Sequence, residues 1–227
     1  MKKKLEANDL SRIETPRSKT DHGESTKSQI IHWASFYDVV FGWLLRRTHD
    51  EVVRLATSSP GERVLDVGCG TGSLAIALKA SVGQTGLVHG IDASPEMIEV
   101  SRRNASRASA DVNFTVGLGE AIPFPNETFD LVVSQLAIHH LPDDLKQSAI
   151  KEMHRVLKPN GRCMIVDFEP PKSITGRFAT RMFLRPMIKI NVKNYLPLME
   201  EAGFTNIETG ETRHRLLSFI RGQVAGC

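Results

Sequence analysis

The chain has 227 residues, 41% of them hydrophobic and 24% charged, enough for one domain with a substantial buried core. Its net charge of +3 is small for a nucleic-acid binder. Cys69, Cys163 and Cys227 are too few and too scattered for a disulfide framework or a cysteine-based zinc site, so a reducing cytoplasm is the expected compartment.

Taken in chain order, residues 1–29 are polar and read as a flexible arm, whose alternatives are a solvated tail or a flap that orders over a ligand. MKKKLEANDL has a basic start without the apolar stretch of a secretory signal. Residues 30–227 are expected to form a single domain. Its first part, 30–60, carries cap helices, with Leu44, Leu45, Val52 and Leu55 on an apolar face. From Glu62 the pattern alternates between strand and helix. RVLDVG, LVHGID, VNFTV, FDLVVS and RCMIVDF read as buried strands, and FTNIET and RLLSFIRG as a closing hairpin. SLAIALKA and DDLKQSAIKEMHRVL are helical, the latter ended by KPNG. SPEMIEV opens a further helix, with Ser94 as its cap and Pro95 in its first turn. This rhythm predicts an α/β fold: a doubly wound, Rossmann-like sheet of seven mostly parallel strands with a C-terminal antiparallel hairpin. No run approaches the roughly 18 apolar residues that a membrane-spanning helix needs.

The stretch VLDVGCGTG places Gly68, Gly70 and Gly72 after the first strand, where a parallel sheet binds its ligands. A glycine turn lets backbone approach a ligand, and the helix N-terminus behind it favours negative charge. The spacing is nevertheless G-x-G-x-G rather than the dinucleotide fingerprint G-x-G-x-x-G. Asp66 would add negative charge beside a pyrophosphate, and a carboxylate there suits a cationic ligand instead. Asp92 ends the second strand, where an acid bonds ribose hydroxyls.

These features resemble the class I S-adenosylmethionine-dependent methyltransferases. The matching blocks are VLDVGCGTG, GIDASPEMIE, AIPFPNETFDLVVSQLAIHHL and EMHRVLKPNGRCMIVDF. Within that family the chain looks most like the branch that holds quinone-biosynthesis C-methyltransferases and many small-molecule enzymes. The resemblance implies S-adenosylmethionine as cofactor. It further implies that Asp66, Gly68, Cys69 and Gly70 lie along the amino-acid part and Asp92 and Ala93 at the ribose. Met97 is implied to pack against adenine, with helix-to-sheet packing as its alternative role. Leu118 stands where the family commonly has an Asp that meets the adenine amino group, so the expected contact passes to the backbone of Leu118 and Gly119, or to Glu120. Ser134 and Gln135, at the end of the fourth strand, are implied to border the methionine part.

Methyl transfer to an activated carbon needs alignment and exclusion of water, and needs a base only if the acceptor arrives protonated. His139 and His140 are candidate bases, or else line the cofactor. Tyr37, in ASFYD, resembles a segment that covers the cofactor. Asp167 and Glu169 end a strand at the site edge. No metal ligation is expected, because adjacent histidines diverge and no third ligand accompanies them. Residues 171–200 are the expected substrate-binding lid. Within 177–193, Arg177, Arg181, Arg185, Lys189 and Lys193 recur every four residues, a stripe that can rest on an anionic membrane, receive an acidic substrate, or simply face solvent. The expected reaction is in-line methyl transfer to a small or lipophilic acceptor such as a quinol, phenol or amine, with no nucleic-acid partner. The rival readings are a non-catalytic adenosylmethionine-binding module and an NAD-dependent oxidoreductase.

Overall fold

The protein is described by a computed structural model covering residues 48–169, 190–214 and 216–226. A helix, α1, runs through 48–56. The chain then alternates β1 (Arg63–Val67), α2 (Ser73–Val82), β2 (Leu87–Asp92), α3 (Pro95–Arg107) and β3 (Asn113–Val116). The second half adds β4 (Phe129–Gln135), α4 (Asp143–Val156), β5 (Leu157–Phe168), α5 (Leu196–Ala202), β6 (Thr205–Glu211) and β7 (Leu217–Gln223). Short 3-10 turns at Ile138–His140 and Val192–Tyr195 precede α4 and α5.

The seven strands form one sheet in the order β3-β2-β1-β4-β5-β7-β6. All neighbours are parallel except where β7 enters between β5 and β6, antiparallel to both. The expected seven-stranded sheet with its closing hairpin is therefore observed. The order in which successive strands are laid down reverses between β1 and β4, which lie side by side although 61 residues part Val67 from Phe129. That seam is the topological switch point at which such sheets bind ligands.

Strand alternation divides the core in two. Leu65, Val67, Val132 and Ile165 face α4 and α5, where Ile150, Met153 and Met199 complete one cluster. Val64, Val133, Met164 and Val166 face the other way, onto Val52 of α1, Leu74 and Leu78 of α2 and Ile98 of α3. Of the apolar face expected before residue 60, Val52 is buried and Leu55 packs at the cluster's margin; Leu44 and Leu45 lie outside the described residues.

Two expectations are corrected. VNFTV is not a buried strand: β3 is the sheet edge, and only Phe114 is buried, because among the described residues no further strand or helix covers its outer flank. KPNG does end α4, but it belongs to β5. Pairing with β4 jumps from Phe129↔Leu157 to Leu131↔Arg162, and the extra residues are taken up by a bulge with Asn160 at φ 63.

Candidate functional site

The site is built at the carboxyl ends of β1, β2 and β4. After Val67 the chain turns sharply through Gly68 (φ 73), Gly70 (φ 52) and Gly72 (φ 82), a left-handed backbone that side chains resist. Two of these positions also lack room. A Cβ on Gly68 would lie 2.2 Å from Ala137 Cβ, and one on Gly72 2.7 Å from the Phe114 ring. Gly70 differs, because nothing lies within 4 Å of where its Cβ would be. The loop is pinned from beneath where the amides of Gly68 and Cys69 both donate to the Ile91 carbonyl.

Asp92 fixes the loop from the side. One carboxylate oxygen accepts the Gly70 amide at 2.9 Å and the other accepts the Ser94 amide at 2.9 Å. Ser94 in turn caps α3 by accepting the Met97 amide, with Pro95 in the first turn, as the sequence predicts. Burial raises the Asp92 pKa, against the opposing pull of the Ser94 and Gly70 amides. Ala93 is exposed beside it, and the Met97 side chain is buried.

Asp66 is almost completely buried, and its Oδ2 has no hydrogen-bond partner among the described residues. Burial, then the Asp92 charge, pushes its pKa up to about 7, while the Ala75 amide in the first turn of α2 opposes the rise. An orphaned buried carboxylate oxygen is costly unless a donor or cation meets it. The open space over Gly70 adjoins the Asp92 carboxylate, which accepts the Gly70 amide. This arrangement fits a ligand with an ammonium at one end and vicinal hydroxyls further along, and S-adenosylmethionine has both. Cys69 lies buried in the loop. Burial, then Asp66 and Asp92, hold its thiol well above the usual range, so it serves as packing rather than as a nucleophile.

On the other flank, the Gly117 amide donates to the Asp92 carbonyl, bringing Leu118, Gly119 and Glu120 beside the site. Leu118 is 42% exposed and pairs with Ala121 across a tight turn. The IPFPN segment beyond is clamped by two residues of α4. Glu152 accepts the Ile122 amide at 2.9 Å, and Arg155 donates to the carbonyls of Ile122 and Phe124 and to the Asn126 side chain. These two residues lie in the EMHR portion of the last matching block, and their positioning role is visible only in three dimensions.

From β4, the Ser134 hydroxyl turns away to the Val67 carbonyl at 2.8 Å, stapling the seam. Gln135 donates to Thr48 of α1 at 2.9 Å, and its Oε1 is buried without a partner among the described residues. Leu136 takes a left-handed conformation (φ 54) to carry the chain into the 138–140 turn. Contrary to the expectation of divergence, the His139 and His140 rings meet, with centroids 4.0 Å apart, because the tight 3-10 turn draws neighbouring side chains together. His139 Nδ1 lies 2.8 Å from Oδ1 of the fully buried Asp167. Partial burial, then His139, push the His140 pKa down to about 4, with Asp167 opposing.

The sequence did not point to Tyr195, whose hydroxyl donates to Asp167 Oδ2 at 2.9 Å. It lies in the 171–200 segment expected to be a lid. The described end of that segment packs into the core, with Val192, Tyr195 and Met199 buried against α4 and the sheet. Glu169 binds Lys193 at 2.6 Å and the Ser218 hydroxyl. Tyr37, Arg177, Arg181, Arg185 and Lys189 lie outside the described residues. Among the described residues, no helix is long and apolar enough to cross a membrane.

Residues 64–161 match a family described as a methyltransferase domain. The chain is 36% identical over 123 residues to a demethylmenaquinone methyltransferase of Geobacillus kaustophilus, covering 54% of this chain and 52% of that one. It is 33% identical over 185 residues to the demethylmenaquinone methyltransferase of Lysinibacillus sphaericus, covering 75% and 77%. The match therefore spans about half the length of the first relative and about three quarters of the second. A solved S-adenosylmethionine-dependent methyltransferase from Aquifex aeolicus shares the fold, with a TM-score of 0.67 at 20% identity, over 85% of this chain and 97% of that one. The chain belongs to the class I S-adenosylmethionine-dependent methyltransferases.

Proposed function

We propose that this protein binds S-adenosylmethionine over the Gly68–Gly72 loop and transfers its methyl group to a small or lipophilic acceptor. The observation that carries this reading is Asp66, a buried carboxylate with an unpartnered oxygen beside a glycine loop that Asp92 ties down. Asp66 would face the ammonium, directly or through water, and Asp92 the ribose hydroxyls. The backbone of Leu118 and Gly119 would meet the adenine edge, which Met97 would line, and Ser134 and Gln135 would border the methionine part. The bound group supplies a methyl carbon activated by a sulfonium. The chain supplies alignment, a dry pocket and any base the acceptor requires. His139, His140 and Tyr37 are the candidates for the base.

A quinol or related ring is the favoured acceptor, because relatives at 33% and 36% identity are named demethylmenaquinone methyltransferases. The test pairs two measurements. Calorimetry should show binding of S-adenosylmethionine and its demethylated product but not NAD, and exclusive NAD binding would sink the proposal. A screen with labelled S-adenosylmethionine against quinols, phenols, amines, thiols and phospholipids should yield a labelled product. A protein that binds the cofactor and methylates none of these pools would instead be a non-catalytic binding module.

A further inference from the structure

We propose that His139 is the general base of this site, that Asp167 and Tyr195 are its positioning residues, and that the acceptor presents a phenol or hydroquinol hydroxyl. This rests on the methyl-transfer reading above.

The argument begins with Asp167, which is fully buried near the end of β5. Its Oδ1 takes the Phe168 amide at 2.8 Å and the His139 ring at 2.8 Å, and its Oδ2 takes the Tyr195 hydroxyl at 2.9 Å. Against a carboxylate, the shared ring proton belongs to Nδ1. The neutral imidazole therefore presents an unprotonated Nε2, which no described residue bonds. All three donors to Asp167 are neutral groups. The carboxylate's charge is thus balanced when His139 takes up a proton, which is what a base needs behind it.

The neighbours do not compete for this role. Burial, then Asp167, raise the Tyr195 pKa, so Tyr195 stays a phenol and holds the far oxygen in place. Asp167 acts on His140 only through its charge, whereas it bonds the His139 ring directly. The groups that face His139 are Asp167 from β5, Tyr195 ahead of α5, and His140 from its own turn. Asp143 at the start of α4 acts on Tyr195, and the Phe168 ring stands edge-on to His139 at 5.4 Å. The turn follows Ala137, the residue that lies under Gly68, so His139 borders the loop that would hold the methyl donor.

The proton balance selects the acceptor. A phenolic hydroxyl, with a pKa near 10, holds its proton at neutral pH yet can yield it to an imidazole as bonding begins. A thiol is already partly ionised, and an ammonium would bring a second positive charge beside the sulfonium. The hydroxyl proton passes to Nε2, and the freed electron pair forms the new bond to the methyl carbon. The pair of the broken carbon–sulfur bond stays on sulfur, and the imidazolium returns its proton to water. If the conjugated ring carbon attacks instead, it loses its own proton as the oxygen regains one, so one proton is released in either case.

The test uses the full chain and the variants His139→Asn, Asp167→Asn and Tyr195→Phe. Nitrogen-15 spectra of the ligand-free protein should show His139 protonated at Nδ1, and Asp167→Asn should disturb that tautomer. With the phenol and hydroquinol pools, His139→Asn should lower kcat about 100-fold or more, while calorimetry shows S-adenosylhomocysteine affinity unchanged within about twofold. The acidic limb of the kcat/KM profile should vanish in His139→Asn and move in Asp167→Asn and Tyr195→Phe. Protonation of wild-type His139 at Nε2, full turnover by His139→Asn, or preferential methylation of amines or thiols would overturn the proposal. Failure of the wild type to bind S-adenosylhomocysteine would instead overturn the methyl-transfer reading on which it rests.

Discussion

The backbone amide of Gly70 donates to a carboxylate oxygen of Asp92 across 2.9 Å, so the loop after β1 is held by the residue that ends β2. One side chain thereby shapes the cradle and offers its remaining lone pairs to a ligand. Asp92→Ala should weaken S-adenosylhomocysteine binding about 10- to 100-fold, the range expected for hydrogen bonds to a charged group. Asp92→Asn should lose less, because its carbonyl oxygen can still accept one amide. Calorimetry on the two variants checks the order.

Asp66 makes stability depend on pH in a stated direction. Its folded pKa, about 7, lies above the ordinary carboxyl value of 3.8, so the folded state binds more protons than the unfolded one between those values. Stability therefore falls as pH rises from about 4 to about 7, by up to a few kcal/mol. Asp66→Asn should abolish that component. The melting temperature of the variant relative to wild type, measured without ligand, should climb between pH 5 and pH 8. A parallel pair of pH curves would refute the assignment. Because an ammonium pairs with the ionised form, cofactor binding below pH 7 should release a proton, detectable as buffer-dependent heat.

Gly68 and Gly70 should respond differently to alanine. Gly68→Ala meets both a left-handed backbone and the Ala137 side chain, so it should cost stability by about 1–3 kcal/mol or more. Gly70→Ala meets open space and should cost only about 1 kcal/mol of stability, from backbone conformation. Its added methyl, however, intrudes where the ligand would lie, so its larger effect should be on affinity. Chemical denaturation and calorimetry, run side by side, separate the two.

Arg155 clamps the IPFPN segment to α4 through three acceptors. Arg155→Met should loosen residues 118–126 and weaken cofactor binding several-fold without unfolding the protein, since the group is partly exposed and each bond is modest. Faster amide exchange confined to that segment would show the loosening. Uniform exchange across the sheet would show a global effect instead.

The alternation of strand and helix from Arg63 to Phe168 was legible because each element carries its own period, turn and cap. Ser94 and Pro95 announced α3 within a few residues. Asp66, Gly70 and Asp92 were legible for the same reason: the loop and the second strand end form one local unit. Contacts set by the returning chain were not. Tyr195 reaches Asp167 over a separation of 28 residues, and nothing around NVKNYLP marks that tyrosine as a partner of a strand end. The exposure of β3 was hidden as well, because an edge strand and a central one share the same β-branched composition and differ only in what lies beside them.

The reversal of strand order between β1 and β4 partitions the molecule's tasks along its length. The residues proposed to hold the donor from the glycine loop to the adenine edge fall between Asp66 and Glu120, whereas Ser134 and Gln135 at its methionine part and the His139–Asp167–Tyr195 group come from the second half of the chain. The two halves join along the β1–β4 pairing and share both core clusters, and beside the loop they meet at Ser134 on Val67 and Ala137 beneath Gly68. On the proposed function, donor affinity and acceptor choice are therefore separable inheritances. On the same proposal, a lineage can redraw the residues around His139 to take a new acceptor while the first half stays intact, provided the β1–β4 seam, the small residue under Gly68 and the hydroxyl staple at Val67 are retained.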